Sequence, residues 1–187
     1  MRKKGFTLVE LIISMTVLSL ILVAVASVFS VSIRTYQVES QRSMFQKELN
    51  FVTDAVSRDI KQSRLVQNYN PYILSSTTLI LNLPSIDDSE GFIYSGGVPL
   101  TDTIVYYRSG ASFYKVTFAN PASRRAHGGF FGITWKMIDE NITNVSFTYS
   151  PSISAARSVS FTITESAMVG KKNVILTAKS TANLRNR

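Results

Sequence analysis

The chain has 187 residues, no cysteine, a single histidine (His127) and a formal net charge of +8 at pH 7. Without cysteine it can build no disulfide framework, thiolate nucleophile or cysteine-ligated zinc site, and one histidine removes the parts of the usual triads and His-rich metal centres. A mean hydropathy of +0.12 is high for a purely soluble protein, so part of the chain is expected to meet lipid.

Arg2, Lys3 and Lys4 precede Gly5 and Phe6, and the stretch from Leu11 to Ile33 contains no charged residue, no proline and no glycine. At 1.5 Å per residue this stretch makes a helix of roughly 35 Å, enough to cross a bilayer core with slight tilt. The positive-inside rule keeps the basic end cytoplasmic and exports everything after Arg34. The rest of the positive charge suits a domain near an anionic membrane surface. A cleaved secretory signal is a competing reading, because Ala24 to Ala26 offers an A-x-A site. Against it, the apolar run continues to Ile33 and Glu10 falls inside the apolar region. A plain uncleaved anchor accounts for everything except Glu10.

An ionised carboxylate in hydrocarbon costs on the order of 3 kcal/mol even on the lenient insertion scale, so Glu10 needs a cationic partner. The run from residue 11 to 33 holds none. Cleavage between Gly5 and Phe6 would create one, the new α-amine. "KKGFTLVELI", Lys3 to Ile12, resembles the processing site of type IV prepilins and pseudopilins. The resemblance implies a basic leader (Arg2, Lys3, Lys4), cleavage after Gly5 by a membrane prepilin peptidase and N-methylation of Phe6. It also implies extraction of the subunit into a helical filament of related pilin or pseudopilin subunits. There, Glu10 of one subunit can neutralise the α-amine of Phe6 on a neighbour and set the axial register. Thr7 is assigned no special role.

No proline interrupts the chain before Pro71, and the helix is expected to continue to about Ser63. Phe45, Leu49, Val52, Val56 and Ile60 form a stripe at helical spacing, with Lys47, Asp54, Arg58 and Lys61 away from it and Asp54 and Arg58 able to pair at i,i+4. Beyond Pro71 the period becomes two. Leu79, Leu81 and Leu83 alternate with Thr78, Ile80 and Asn82, while Val145, Phe147 and Tyr149, then Val159, Phe161 and Ile163, alternate with Ser and Thr. These read as half-buried strands. Residues 103–108, 113–118, 131–137 and 173–184 are further strand candidates. Antiparallel pairing with one face on the helix stripe is the expected arrangement.

The loops carry little chemistry. Gly170-Lys171-Lys172 lacks the rest of a P-loop, and Asp87, Asp88 and Glu90 form an acidic turn without EF-hand spacing. No cofactor or metal is expected. Arg124, Arg125 and His127, followed by Phe130 and Phe131, are the best candidates for contact with an anionic partner such as nucleic acid or a surface ligand; an ordinary hairpin loop is the favoured reading of the same residues. "VSRDIKQS", "IDENITNVSFTYS" and "TANLRNR" are loosely similar to stretches of minor pilins and J-type pseudopilins. The expected protein is α+β and not an enzyme. It comprises a leader (1–5), a transmembrane and filament-core helix (6–34), an amphipathic helical spine (35–70) and an exported β-rich domain (71–187). The resemblance implies a minor subunit that helps to initiate or tip a type IV pilus-like filament of a secretion, competence or pilus machine. The competing reading is a filament-tip binding module.

Overall fold

The computed structural model describes residues 7–126, 133–153, 155–169 and 172–185. The chain divides into two compact units, Met1–Ser43 and Met44–Arg187. A single helix, α1 (Leu8–Gln62), starts in the first and ends in the second.

In the first unit, the helix buries none of its large apolar side chains: Leu11, Ile12, Leu18, Ile21, Phe29 and Ile33 are all more than half exposed. Five of its hydroxyls are turned inward. Ser14, Thr16, Ser19, Ser27 and Thr35 each donate to a backbone carbonyl three or four residues earlier, at 2.7–3.0 Å. Such back-bonding satisfies these five hydroxyls within the helix, as a helix in hydrocarbon requires.

In the second unit, the expected stripe becomes the core. Leu49, Val52, Val56 and Ile60 are buried to within 1% and Phe45 packs against them. The helix ends where Ser63 turns its amide and hydroxyl back onto Ile60 O, while the next amide, Arg64 N–H, joins Asn82 O. Asp54 and Arg58 form no ion pair, in contrast to the expectation; the helical carboxylate that is paired is Asp59.

Among the described residues ten strands follow: β1 (Leu65–Val66), β2 (Thr78–Pro84), β3 (Tyr94–Ser95), β4 (Val98–Pro99), β5 (Thr101–Ser109), β6 (Ser112–Phe118), β7 (Ile133–Asp139), β8 (Ile142–Ser150), β9 (Ser158–Val169) and β10 (Lys172–Asn183). All pairings are antiparallel. They form a five-stranded sheet in the order β1-β2-β5-β6-β7, a three-stranded sheet β10-β9-β8 and the ribbon β3-β4. The ribbon turns on Gly96 and Gly97, both at positive φ, as a two-residue hairpin loop requires.

The helix touches both larger sheets. Ser57 and Ser180 of β10 share a hydroxyl hydrogen bond at 3.2 Å, and Asp59 meets Tyr106 of β5 and Lys115 of β6. On β8 and β9 the expected alternation holds, with Val145, Phe147, Val159, Phe161 and Ile163 inward. On β2 it fails: Ile80 and Asn82 are buried as well as Leu79, Leu81 and Leu83. The reason is a second cover. The far face of the sheet carries Tyr107, Tyr114 and Phe118, and the segment before β2 folds Tyr69 onto Phe118 (4.8 Å between ring centroids) and Tyr72 onto Tyr107 (5.5 Å). β2 therefore lies between two apolar layers and reads as a continuous apolar run.

Candidate functional site

Two sites bear on function, one in each unit. At the start of α1, Thr7 is the N-cap. Glu10 N–H donates to Thr7 Oγ1 at 3.3 Å, and Thr7 N–H donates to Glu10 Oε2 at 3.4 Å. This is the reciprocal geometry of a capping box, with the carboxylate at the positive end of the helix dipole. Thr7 thus has the role denied to it by its weak polarity alone; the signal was the T-x-x-E spacing. Both bonds are long and both donors are neutral, so the box orients Glu10 without neutralising it. The expected processing residues Gly5 and Phe6 and the expected leader residues Arg2, Lys3 and Lys4 lie outside the described residues.

In the second unit, the loop residues fall into two different settings. Arg125 is held by Asp102, whose side chain is fully buried: its guanidinium reaches Asp102 Oδ2 at 2.8 Å and Pro84 O at 2.7 Å. Asp102 also accepts from Ser85 Oγ (2.7 Å), Ser123 Oγ (2.7 Å) and Asn120 N–H (2.9 Å), so one carboxylate gathers three segments. Arg124 is in a more exposed setting and pairs with Glu90 at 3.2 Å. His127 lies outside the described residues. In the acidic turn, Asp87 Oδ1 accepts from the amides of Ser89 and Gly91, which commits it to the turn. Among the described residues no three acidic or histidine side chains gather as a metal site.

A second carboxylate hub was not singled out from the sequence. Asp59 Oδ2 accepts from Lys115 Nζ and from the Tyr106 hydroxyl, each at 2.5 Å. Burial, and next the Asp59 charge, push the Tyr106 pKa well above its ordinary value. The signals for these two hubs were present. Asp59 stands three residues after Val56 on the apolar side of the helix, and Asp102 shares strand parity with Ile104 and Tyr106.

An exposed apolar helix long enough to span a membrane, a capped carboxylate at its start and antiparallel sheets on its second half define a membrane-anchorable α+β protein of pilin-like build. Residues 1–26 match the family model described as the prokaryotic N-terminal methylation motif, a match that supports a type IV prepilin-like protein. No curated protein matches it. The motif points to a structural subunit that assembles with other pilin subunits after prepilin peptidase processing.

Proposed function

We propose that the protein is a minor pilin or pseudopilin, held in the cytoplasmic membrane with its N-terminus inside. On this reading it is cut between Gly5 and Phe6, N-methylated at Phe6, and drawn into a filament that it helps to initiate or tip. The observation that carries this reading is Glu10. Residues 11–33 provide no cation, and the capping bonds from Thr7 provide no countercharge. An α-amine at Phe6, created by cleavage, supplies it, and pairing between neighbouring subunits offsets two desolvation costs at once.

The test is intact-mass and N-terminal peptide analysis of the protein from its native membrane, followed by recovery of sheared filaments. A methylated Phe6 terminus and filament incorporation that is lost in Glu10→Leu support the reading. A terminus at Ser27, or an uncut Met1 form, defeats it.

A further inference from the structure

A cleft of about 480 Å³ opens in the second unit at the end of α1, between the 84–91 turn, the short 3-10 turn Arg124–Ala126 and Arg185. Four arginines line it: Arg58, Arg124, Arg125 and Arg185. Asp59 and Glu90 are the lining carboxylates, and Asp59 is already engaged by Lys115 and Tyr106. Arg125 is engaged by Asp102. Arg58 and Arg185 form no ion pair among the described residues. The Arg185 guanidinium stacks over the Phe92 ring at 5.2 Å, and such stacking leaves the N–H edge of the fork free to take a carboxylate.

Glu90 is the unusual member. Its backbone is in the left-handed region at φ 65, a conformation that favours glycine and is strained for a glutamate. The Asp87 turn holds it there, and its carboxylate meets Arg124 in an exposed pair. An exposed pair of this kind contributes little, so another carboxylate can replace Glu90 at Arg124 at small cost while Glu90 returns to water.

We propose that the cleft binds an acidic segment of a protein partner, with Glu90 as the internal stand-in for the partner's carboxylate. Arg124, Arg58 and Arg185 would hold the incoming carboxylates, and the half-exposed Phe92 ring would take the apolar stem of a glutamate side chain. Nucleic acid fits less well. A phosphodiester backbone carries charge at every step and is tracked by a basic stripe, whereas these arginines converge on one concave site that keeps Glu90 at its rim. The proposal concerns the second unit alone and stands apart from the assembly role of Glu10.

The experiment is titration calorimetry of the full chain in nonionic detergent with an oligoglutamate peptide, against a Gly-Ser peptide, an oligothymidylate of similar length and inorganic phosphate. The expected result is saturable binding of oligoglutamate, weakened at least about tenfold in the Arg58→Gln/Arg185→Gln variant and strengthened in Glu90→Gln. Both arginines are exposed, and an unchanged melting temperature verifies that the double variant folds. No binding of oligoglutamate, equal binding by the double variant, or no gain in Glu90→Gln overturns the proposal. So does tighter binding of oligothymidylate, or displacement of the peptide by millimolar phosphate.

Discussion

Asp59 on the helix and Lys115 on β6 are joined at 2.5 Å inside the second unit, with side chains only 12% and 26% exposed. They are 56 positions apart in sequence, so the pair fixes how the helix lies on the five-stranded sheet. Breaking a fully buried pair costs about 3–5 kcal/mol because a charge is left uncompensated. Lys115 is partly hydrated, so removing Lys115 (Lys115→Met) should cost about 2 kcal/mol by denaturant unfolding, less than the full penalty. Tyr106→Phe should cost about 1 kcal/mol, and the two losses should be non-additive because both donors share Asp59 Oδ2.

The helix stripe predicts a contrast between two neighbours. Ile60 is fully buried, whereas Phe51, on the same helix, is 60% exposed. Ile60→Ala should lower stability by 2 kcal/mol or more, at about the usual cost of a core truncation. Phe51→Ala should change it by less than about 0.5 kcal/mol. Equal effects in urea unfolding would mean that the stripe is not the packed face.

Periodicity made the helix, its stripe and most strands legible, because each is a repeat of one local pattern. The division into two sheets was not legible, since it depends on which edge each hairpin joins and no local pattern carries that. The full burial of β2 was hidden for a similar reason: Ile80 reads as an outward residue until Tyr69 and Tyr72, from outside the strand, pack on Phe118 and Tyr107 of the same sheet. At the candidate site, Glu10 stood out because a charge interrupts an apolar run. Asp59 and Asp102 did not, because carboxylates are common on helices and strands and only the fold reveals that Lys115 and Arg125 reach them. Arg124 and Arg125 look equivalent as neighbours in sequence, yet one pairs at the surface and the other with a buried carboxylate.

The phenols predict the alkaline limit of stability. Burial raises the pKa values of Tyr106, Tyr149 and Tyr107, helped at Tyr106 by Asp59 and at Tyr107 by Tyr72. Well below the ordinary phenol value of 10.0 these phenols are protonated in both folded and unfolded chains and contribute no pH dependence. Above it the unfolded chain releases the protons and the folded chain keeps them, so stability should fall as pH rises. In absorbance titration at 295 nm, Tyr106 and Tyr149 should ionise only with unfolding, and Tyr149→Phe should remove one late-titrating phenol. Simultaneous titration of all eight tyrosines below the unfolding transition would contradict the buried hydroxyls.

The capping box predicts that Thr7 and Glu10 separate two processes. Thr7→Ala removes the N-cap hydroxyl and should fray the first turn at a cost of about 1 kcal/mol, visible as faster amide exchange at Val9 and Glu10 in detergent. Glu10→Leu should make membrane insertion more favourable by removing the charge from the apolar segment. On the assembly reading it should still abolish filament incorporation. Insertion of both variants can be followed by alkaline extraction of membranes, and retained assembly of Glu10→Leu would leave the carboxylate without the proposed partner.

The two adjacent arginines give the sharpest contrast. Arg125→Ala leaves the Asp102 carboxylate buried without its cation, although three hydrogen bonds to it remain, and stability should fall by about 3 kcal/mol. Arg124→Ala breaks only an exposed pair with Glu90 and should be close to neutral. Asp102→Asn keeps the shape but loses the charge, so it should release the loop near Ser123 and Arg125. Faster amide exchange at Ser123 and Arg125, with little change across β9 and β10, would locate the loss. If Arg124→Ala and Arg125→Ala destabilise equally, Asp102 does not anchor the loop, and the two side chains act together as a surface patch.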